Sequence, residues 1–423
     1  MTMQKRLEGT PAPAHDPFDP DFAHRCIGKV LSPISEHYFR SELRGAERIP
    51  SQGPVILAAN HSGNAFPHDG MYLDTELWRQ GGFAPAAKFR TVYEAELSLV
   101  WWMRPFGLDN FWRRGGGVDM TFDNFERLIQ RGDRILYFPE GVPGIGKGFN
   151  RRYQLQTFKT SFVLLAARHR VPVYPVHIIN GEWIHPFGYT FPGLDQLMQR
   201  VFRVPFLPLP IGILAIIFPW MWYMAFPARL LFVVGEPIDV PALVREAGIT
   251  DLDKPERSRL CQVAAKVRRQ MQAELSELVA IHGRQPWQLA NLWQQLKKYR
   301  GRWAAILPWG WPLAFIRTER NHQRPPARNR LHAILRDWDL VGFYLPFGWP
   351  LLSLARAFRR PPCGYRGLTR EAIRQQQGNF IWHLRDNPLP PREPAAFSPL
   401  PAPGSTSTAP ATPGDRVTVQ PAH

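Results

Sequence analysis

The sequence predicts a layered α/β domain, because four short apolar segments alternate with helical patterns between about residues 45 and 250. The segments are residues 54–59, 134–138, 173–179 and 229–234. They are nearly continuous apolar runs, which is typical of strands that are covered on both faces of a sheet. Between them, apolar residues recur at the three- and four-residue spacing of a helix. This alternation favours helices packed on both sides of a sheet.

Three helical segments can be placed on this pattern. Residues 122–129 put their apolar side chains on one face, after a possible N-cap at Asp119 or Thr121 and before Gly132. Residues 158–166 show a second apolar face, and residues 253–282 form a long amphipathic pattern that ends at Gly283. We expect this last helix to close the first domain.

Composition sets the class of protein. The chain has 423 residues, of which 44% are hydrophobic, so a sizeable core is expected. A mean hydropathy of -0.27 excludes a polytopic membrane protein. The three cysteines, Cys26, Cys261 and Cys363, are far apart and fit no metal-ligand spacing, which suggests a reducing compartment without a disulfide framework. The first residues include no apolar segment of the kind found in secretory signals.

The chain divides into four predicted parts. Residues 1–24 and the Pro-rich tail 387–423 contain too little apolar bulk to offset their ordering entropy, and we expect both to be disordered. Residues 25–283 form the predicted α/β domain. Residues 284–386 form a predicted helical extension that is basic and rich in aromatic residues.

The extension has an unusual composition and an internal repeat. Residues 281–386 contain 18 basic and 5 acidic side chains, a net charge of +13, and eight tryptophans. Residues 307–313 (LPWGWPL) return as residues 345–351 (LPFGWPL) within uncharged stretches that are shorter than the roughly 20 residues of a membrane span. We expect wedges that dock on an anionic membrane surface. The alternatives are an ordinary helical-hairpin core and nucleic-acid binding, although no zinc pattern, RNP-like strand or lysine-rich arm supports the latter.

A second uncharged stretch covers residues 204–228. It is long enough to cross a bilayer, but it contains five prolines, which break a regular helix. We therefore expect a shallow or re-entrant apolar surface.

The first candidate for chemistry is the segment 60–70, NHSGNAFPHDG, which follows the first predicted strand. Ligands and catalytic groups collect at the carboxyl ends of strands in α/β sheets. There, an imidazole oriented by a carboxylate can take a proton from a hydroxyl group. His61 and Asp69 fit this pair, with His68 as a rival base; a loop histidine bonded to backbone is the simpler alternative.

The second candidate is the glycine-rich segment 138–148, FPEGVPGIGKG, which follows the second predicted strand. Glycines let backbone amides approach an anion closely, and Lys147, Arg151 and Arg152 could bind a phosphate. The segment is not a Walker loop, because the order Gly-x4-Gly-Lys-Ser/Thr is missing.

Together these segments resemble the glycerolipid acyltransferase superfamily, whose members include lysophosphatidate acyltransferases. The resemblance covers about residues 45–245 and rests on four ordered blocks: 60–70, 111–118 (FWRRGGGV), 138–141 (FPEG) and 171–176 (VPVYPV). One departure concerns the first block, in which the seven residues between His61 and Asp69 make a longer loop than the usual motif has. We interpret this as an enlarged loop, and His61 stays the favoured base because it follows Asn60 directly.

The resemblance implies a mixed sheet flanked by helices and an acyltransferase that needs no cofactor, with acyl-CoA or acyl-carrier protein as co-substrate. The hydroxyl of a lipid, by default lysophosphatidate, would accept the acyl group. His61 and Asp69 would be catalytic; Arg114, Glu140 and Gly141 would bind the acceptor, and Pro175 would shape the donor site. Mono- or diacylglycerol, a glycolipid or an ornithine-type lipid are alternative acceptors.

The same resemblance predicts a location and partners. We expect membrane association on the cytoplasmic face, with an anionic lipid surface as a partner and no nucleic acid. A non-catalytic lipid-binding protein on the same fold remains the main alternative, and the joint presence of His61, Asp69 and the FPEG block argues against it.

Overall fold

The computed structural model describes residues 18–64, 66–94, 111–202, 206–299, 303–323, 325 and 327–358. The Pro-rich tail 387–423, residues 359–386 of the extension and Cys363 lie outside the described residues. Cys26 is buried and Cys261 is exposed, and both are free thiols.

Seven strands form one mixed sheet in the order β1-β9-β6-β2-β5-β3-β4, and two short strands form a hairpin ladder, β7-β8. Neighbours in the large sheet are parallel except β6 and β9, which are antiparallel. The strands are β1 Glu42–Arg44, β2 Val55–Ala59, β3 Arg90–Tyr93, β4 Val118–Asp119, β5 Arg134–Tyr137, β6 Val173–Ile179, β7 Gly188–Tyr189, β8 Leu209–Pro210 and β9 Leu231–Val234.

Fifteen α-helical segments lie within the described residues, together with several π-helical and 3-10 segments. They are α1 Pro20–Ala23, α2 His68–Gln80, α3 Phe111–Arg114, α4 Phe122–Gln130, α5 Val142–Ile145, α6 Ser161–His169, α7 Pro192–Phe202, α8 Ile211–Ile217, α9 Val240–Glu246, α10 Arg257–His282, α11 Leu289–Lys298, α12 Trp303–Ile306, α13 Trp311–Gln323, α14 Arg330–Arg336 and α15 Trp349–Phe358.

The predicted α/β fold class is confirmed. The four predicted strands are β2, β5, β6 and β9, which are neighbours in the middle of the sheet, where both faces are covered. Of the predicted helices, α4 begins after the Thr121 side chain caps the Asn124 N–H, and α10 ends at Gly283. Strands β1, β3 and β4 were not predicted, because two to four residues are too few to establish a hydrophobic period.

Two apolar cores cover the two faces of the sheet. One face packs against α4, α6, α9 and α10, through side chains such as Phe162, Val267 and Met271. The other packs against the N-terminal helices, α2, α3 and the segment after Gly283. The expected boundary between residues 283 and 284 therefore does not separate two cores.

The segment after Gly283 lies on this second face. Its buried side chains include Trp311 and Phe343, each 1% exposed. Trp311 contacts Phe39 with ring centroids 5.8 Å apart and lies 5.9 Å from the His68 ring. The prediction that Trp311 inserts into a membrane is wrong, because this indole fills the core and its N–H donates to the Ile306 carbonyl.

The N-terminal boundary also differs from the expected one. Residues 20–31 are helical, and Phe22 and Ala23 are fully buried. The Asp19 side chain caps the first turn by accepting from the Phe22 N–H. An aromatic side chain with a core site is enough to order a segment that looks too polar as a sequence.

The uncharged stretch 204–228 contains the short helix α8 and a helical turn, Pro219–Tyr223, rather than a long span. Ile213, Leu214 and Ile216 of α8 are 39–47% exposed. No helix in the described part of the chain has both the length and the apolar character to cross a bilayer.

Candidate active site

The sheet brings the two candidate segments together. Strands β2 and β5 are parallel neighbours, with Ala58 opposite Tyr137, so their carboxyl ends meet at one edge. The segment after β2 begins at Asn60 and the segment after β5 begins at Phe138. His61 and Phe138 stack with ring centroids 4.2 Å apart. Residues nearly eighty positions apart thus share one site because the register places them there.

His61 and Asp69 form a hydrogen-bonded pair. Nδ1 of His61 lies 2.7 Å from Oδ2 of Asp69, which also accepts a hydrogen bond from the Ser62 N–H. Asp69 is fully buried at the start of α2. Burial opposes its ionisation, but the His61 charge and these hydrogen bonds still lower its pKa below the usual value. A carboxylate on Nδ1 selects the tautomer in which Nε2 has a free lone pair.

The rest of the His61 imidazole is available for chemistry. Among the described residues, Nε2 has no hydrogen-bond partner. The side chain keeps 9% of its surface exposed, while Phe138 covers one ring face. An imidazole held at one nitrogen and open at the other is suited to act as a general base.

His68, the rival base, lies in a different environment. Its ring is 2% exposed, stacks parallel to Tyr72 and lies 5.2 Å from the ring of His185. Burial, together with His185, holds the pKa of His68 well below its ordinary value. The protonated form is strongly disfavoured there, so the geometry favours His61 as the base.

Glu140 holds the backbone of the loop that carries His61. It is fully buried and accepts from the His61 N–H at 2.8 Å and from the Gln156 N–H at 2.6 Å. The expected role of Glu140 was acceptor binding, but both carboxylate oxygens bond to backbone amides. In this structure Glu140 joins the loop after β2 to the loop that follows α5.

Lys147 also lies beneath His61 rather than on the surface. Its Nζ donates to the His61 carbonyl at 2.8 Å and lies 3.1 Å from Oε1 of Glu182, and neither side chain is exposed. Burial would lower the pKa of Lys147, but Glu182 and Glu140 raise it above the usual value, so the ammonium group stays charged. The expected phosphate contact of Lys147 is replaced by a buried ion pair that holds the peptide group of His61.

Two glycines allow this close packing. Gly141 has φ +59 and ψ -149, a backbone conformation that is essentially restricted to glycine. A Cβ on Gly144 would lie 2.7 Å from Cβ of both His61 and Glu140. The segment 138–148 is therefore rich in glycine because its backbone packs directly against the loop that carries His61.

Arg114 was expected to bind a phosphate of the acceptor, but the structure places it in an ion-pair network. Its guanidinium group lies 2.9 Å from Asp19 and 3.1 Å from Glu319, and it covers the ring of Phe22 at 3.8 Å. These partners come from the N-terminal segment and from α13. Arg114 thus connects three parts of the chain through its side chain.

The remaining predicted residues lie around the same edge. Arg151 is half-buried in the turn after α5, and Arg152 covers the rings of Phe149 and Trp183. Pro175 lies within β6 opposite Ala58, and its carbonyl accepts from the Gly235 N–H.

An apolar cavity lies behind the catalytic loop, on the side of His68. Its walls come from α2, α3, the helical turns and α13, and include Phe66, Tyr223, Trp311 and Phe315. Nδ1 of His68 is buried without a hydrogen-bond partner. Within the described part of the chain, no group of three His, Cys, Asp or Glu side chains is arranged to hold a metal ion.

Three supporting residues were not predicted from the sequence. Asn60 extends the ladder between β2 and β6, since it donates to the Ile178 carbonyl and accepts from the Ile178 N–H at 2.6 Å. The Ser62 N–H fixes Asp69, and Glu182 is the carboxylate partner of Lys147. The supporting role of Asn60 could have been predicted, because Asn60 is a polar residue that directly follows a buried strand. The sequence around Glu182 contains no comparable pattern.

Comparisons with known proteins match the part of the chain that contains this site. A family model described as Acyltransferase matches residues 40–179, which extend from just before β1 to the end of β6. The human 1-acyl-sn-glycerol-3-phosphate acyltransferase alpha is 24% identical over 137 residues, which are 32% of this chain and 44% of that protein. His61, Asp69 and Glu140 all fall inside the matched domain.

Longer matches also exist. An uncharacterized protein of Mycobacterium bovis is 29% identical over 287 residues, which are 66% of this chain and 72% of that protein. Among solved structures, the 1-acyl-sn-glycerophosphate (LPA) acyltransferase of Thermotoga maritima has a TM-score of 0.34 and 18% identity. That alignment covers 59% of this chain and 81% of the other.

Proposed function

We propose that this chain, whose residues 40–179 match a family model described as Acyltransferase, moves a fatty acyl group from a thioester donor to the hydroxyl of a lysophospholipid. The observation that supports the reaction best is the contact of 2.7 Å between Nδ1 of His61 and Asp69, with no hydrogen-bond partner for Nε2 in the part of the chain that the structure describes. Acyl-CoA or acyl-carrier protein is the donor. The reaction needs no further cofactor.

The first step uses His61 as a general base. Nε2 takes the proton of the acceptor hydroxyl while the oxygen attacks the thioester carbonyl carbon. Asp69 stabilises the imidazolium that forms, because its carboxylate is already aligned with Nδ1. The product of this step is a tetrahedral adduct of acceptor and donor, and no acyl-enzyme forms.

The second step breaks the carbon–sulfur bond. The adduct collapses to the ester, and the departing thiolate takes the proton from Nε2 of His61. The base is thereby regenerated, and one thiol is released for each ester formed. Glu140 and Lys147 act on the positions of the reacting groups by fixing the N–H and the carbonyl of His61.

Lysophosphatidate is the acceptor that we propose first, because the human relative is an acyltransferase of 1-acyl-sn-glycerol 3-phosphate. Arg114 would have to release Asp19 or Glu319 to bind its phosphate, so a phosphate-free acceptor such as monoacylglycerol is the alternative. The rate ratio between lysophosphatidate and monoacylglycerol of equal chain length tests this choice. A faster reaction with monoacylglycerol would overturn it.

The reaction itself is tested with His61→Ala and Asp69→Asn. General-base catalysis contributes about 10²–10⁴-fold, so we expect thiol release from acyl-CoA to fall by that factor in His61→Ala. His169→Ala is the matched control, because His169 forms an equally short contact, 2.8 Å, with Glu126 far from the site. If His61→Ala stayed folded and kept more than a few per cent of the activity, the proposed base would be wrong.

A further inference from the structure

Both copies of the heptapeptide repeat lead into a helix. In each copy a tight turn leads into a helix that begins at the tryptophan: α13 begins at Trp311 and α15 at Trp349. Proline follows the tryptophan in both copies, and proline is well suited to the first turn of a helix. The third residue of each copy, Trp309 or Phe347, is exposed by 50% or 62%. The active site uses neither aromatic ring.

These two rings belong to one apolar face. Hydrogen bonds from the Phe347 N–H to the Ile217 carbonyl and from the Trp349 indole to the Ile216 carbonyl join the second copy to α8. The Tyr344 hydroxyl donates to the Trp309 carbonyl and joins the two copies. We define the apolar face by six side chains, each between 39% and 62% exposed: Ile213, Leu214, Ile216, Trp309, Leu345 and Phe347.

Helix α14 also carries exposed apolar side chains. Its Leu331, Ile334 and Leu335 are 59–65% exposed at helical spacing, and Trp338 follows at 42%. A soluble monomer exposes single apolar side chains at random, but a continuous row of this kind marks an interaction site.

The exposed charge beside the apolar face is positive. Residues 317–354 contain three acids, Glu319, Asp337 and Asp339, and each is at most 3% exposed. Arginines neutralise them: Arg320 bonds to both aspartates, and Arg114 pairs with Glu319. Arg317 and Arg328 remain accessible to solvent, while residues 204–228 have no charged side chain at all.

We propose that the apolar face docks this protein on an anionic lipid bilayer, with α8 and the rings of Trp309 and Phe347 at the boundary between headgroups and acyl chains. Aliphatic and aromatic side chains beside accessible arginines are what such a boundary accommodates. An acidic protein would pair with the arginines but would leave this much aliphatic surface uncovered. This docking proposal rests on the proposed function only in one respect: a lipid acyltransferase needs access to an acceptor in the bilayer.

The apolar face is close to the catalytic loop. Gly144 of α5 packs against His61, and the backbone of Gly146, two residues later, packs against the ring of Phe206 near the start of β8 and α8. Tyr223, in the turn after α8, lines the cavity beside His68. Docking through α8 would therefore bring the bilayer next to the segment that positions the base.

Vesicle flotation with the full-length chain tests the proposal. The vesicles contain phosphatidylglycerol and phosphatidylcholine in a ratio of one to two, and pure phosphatidylcholine vesicles are the comparison. We expect Ile213→Ser/Ile216→Ser/Phe347→Ser to bind the anionic vesicles on the order of tenfold more weakly, because the apolar term is lost. Phe122→Ser/Ile281→Ser is the matched control, since both side chains are exposed on helices of the opposite sheet face.

The outcomes are distinct. Unchanged flotation of the triple variant, or equal losses in the control, would overturn the proposal. The proposal would also be overturned if neither protein floated and the triple variant converted a wild-type dimer to a monomer, because the apolar face would then bind a second copy of the chain. Binding of acyl-carrier protein in place of vesicles would overturn it as well. His61→Ala should float like the wild type, so a failure of the proposed reaction would leave this result unaffected.

Discussion

His61 and His68 lie on the same loop, yet their surroundings give the two imidazoles different capacities. His61 is held at Nδ1 by Asp69 and is open at Nε2, whereas His68 is enclosed by aromatic rings and has an unpartnered Nδ1. A base must accept a proton and become charged. Desolvation makes that step costly at His68. At His61 the Asp69 carboxylate is hydrogen-bonded to Nδ1 and leaves Nε2 to meet a substrate.

The buried state of His68 predicts a pH dependence of stability. Its folded-state pKa lies well below the ordinary value of about 6.5, so below that pH the unfolded chain binds more protons than the folded chain. The stability contribution is therefore complete above pH ~6.5 and is lost as the pH falls, with a slope of up to about 1.4 kcal/mol per unit. Urea unfolding between pH 7.5 and 5.5 should show a smaller loss in His68→Phe than in the wild type. Identical slopes would place His68 in contact with water.

Lys147 gives a second prediction at this scale. Replacing it by methionine leaves Glu182 buried without its cation, which should cost about 3–5 kcal/mol of unfolding free energy. Lys147→Met/Glu182→Gln should recover much of that loss, because neither remaining group is charged. Urea unfolding of both variants measures the difference. A stable Lys147→Met with only a raised KM for acceptor would restore the substrate-binding role that the sequence suggested.

Among the elements, the short helix α5 has the strictest packing requirement. Any side chain at Gly144 meets Cβ of His61 and of Glu140 at 2.7 Å, so the backbone must shift. Displacing a catalytic group by about 1 Å can cost on the order of 10²-fold in rate, and we expect such a loss in kcat for Gly144→Ala. Gly193→Ala in α7 is the control, because a Cβ added there would have no atom within 4 Å. Equal activity of the two variants would contradict the tight fit.

The fifth residue of the repeat lies in different surroundings in the two copies. Trp311 is buried in the core against Tyr38 and Phe39, whereas Trp349 is only partly buried and donates its indole N–H to the Ile216 carbonyl of α8. The local turn and the helix start are encoded in the prolines and glycines of each copy. The burial of each ring depends on its neighbours in the fold.

For the whole molecule, the segment after Gly283 is part of the folded core. Trp311→Ala should lower the unfolding free energy by about 3–5 kcal/mol, the usual cost of removing a buried large aromatic side chain. Trp309→Ala, at an exposed position in the same repeat, should change it by no more than about 0.5 kcal/mol. Thermal or urea unfolding measures both. Equal effects would show that the segment detaches from the sheet.

Truncation after Gly283 follows the same reasoning. It would expose the sheet face that Trp311, Phe315 and Phe343 cover, so activity should fall on water-soluble and bilayer acceptors alike. This differs from the expectation for an independent docking extension, whose removal would affect bilayer substrates more. The ratio of the two activities in the truncated chain distinguishes the two arrangements.

Local spacing and short motifs in the sequence predict the central strands, the helical period of α4 and α10, and the pairing of His61 with Asp69, because each depends on residues close together in the chain. The contacts of Glu140, Lys147 and Arg114 could not be predicted in this way, because they depend on the fold. Charged residues in a glycine-rich or basic segment look like ligand contacts when their partners are unknown. Glu182 and Glu319 supply those partners from distant positions, and burial turns the charges into fixed ion pairs. These ion pairs form through long-range packing, which cannot be read from the hydrophobic periodicity of a single segment.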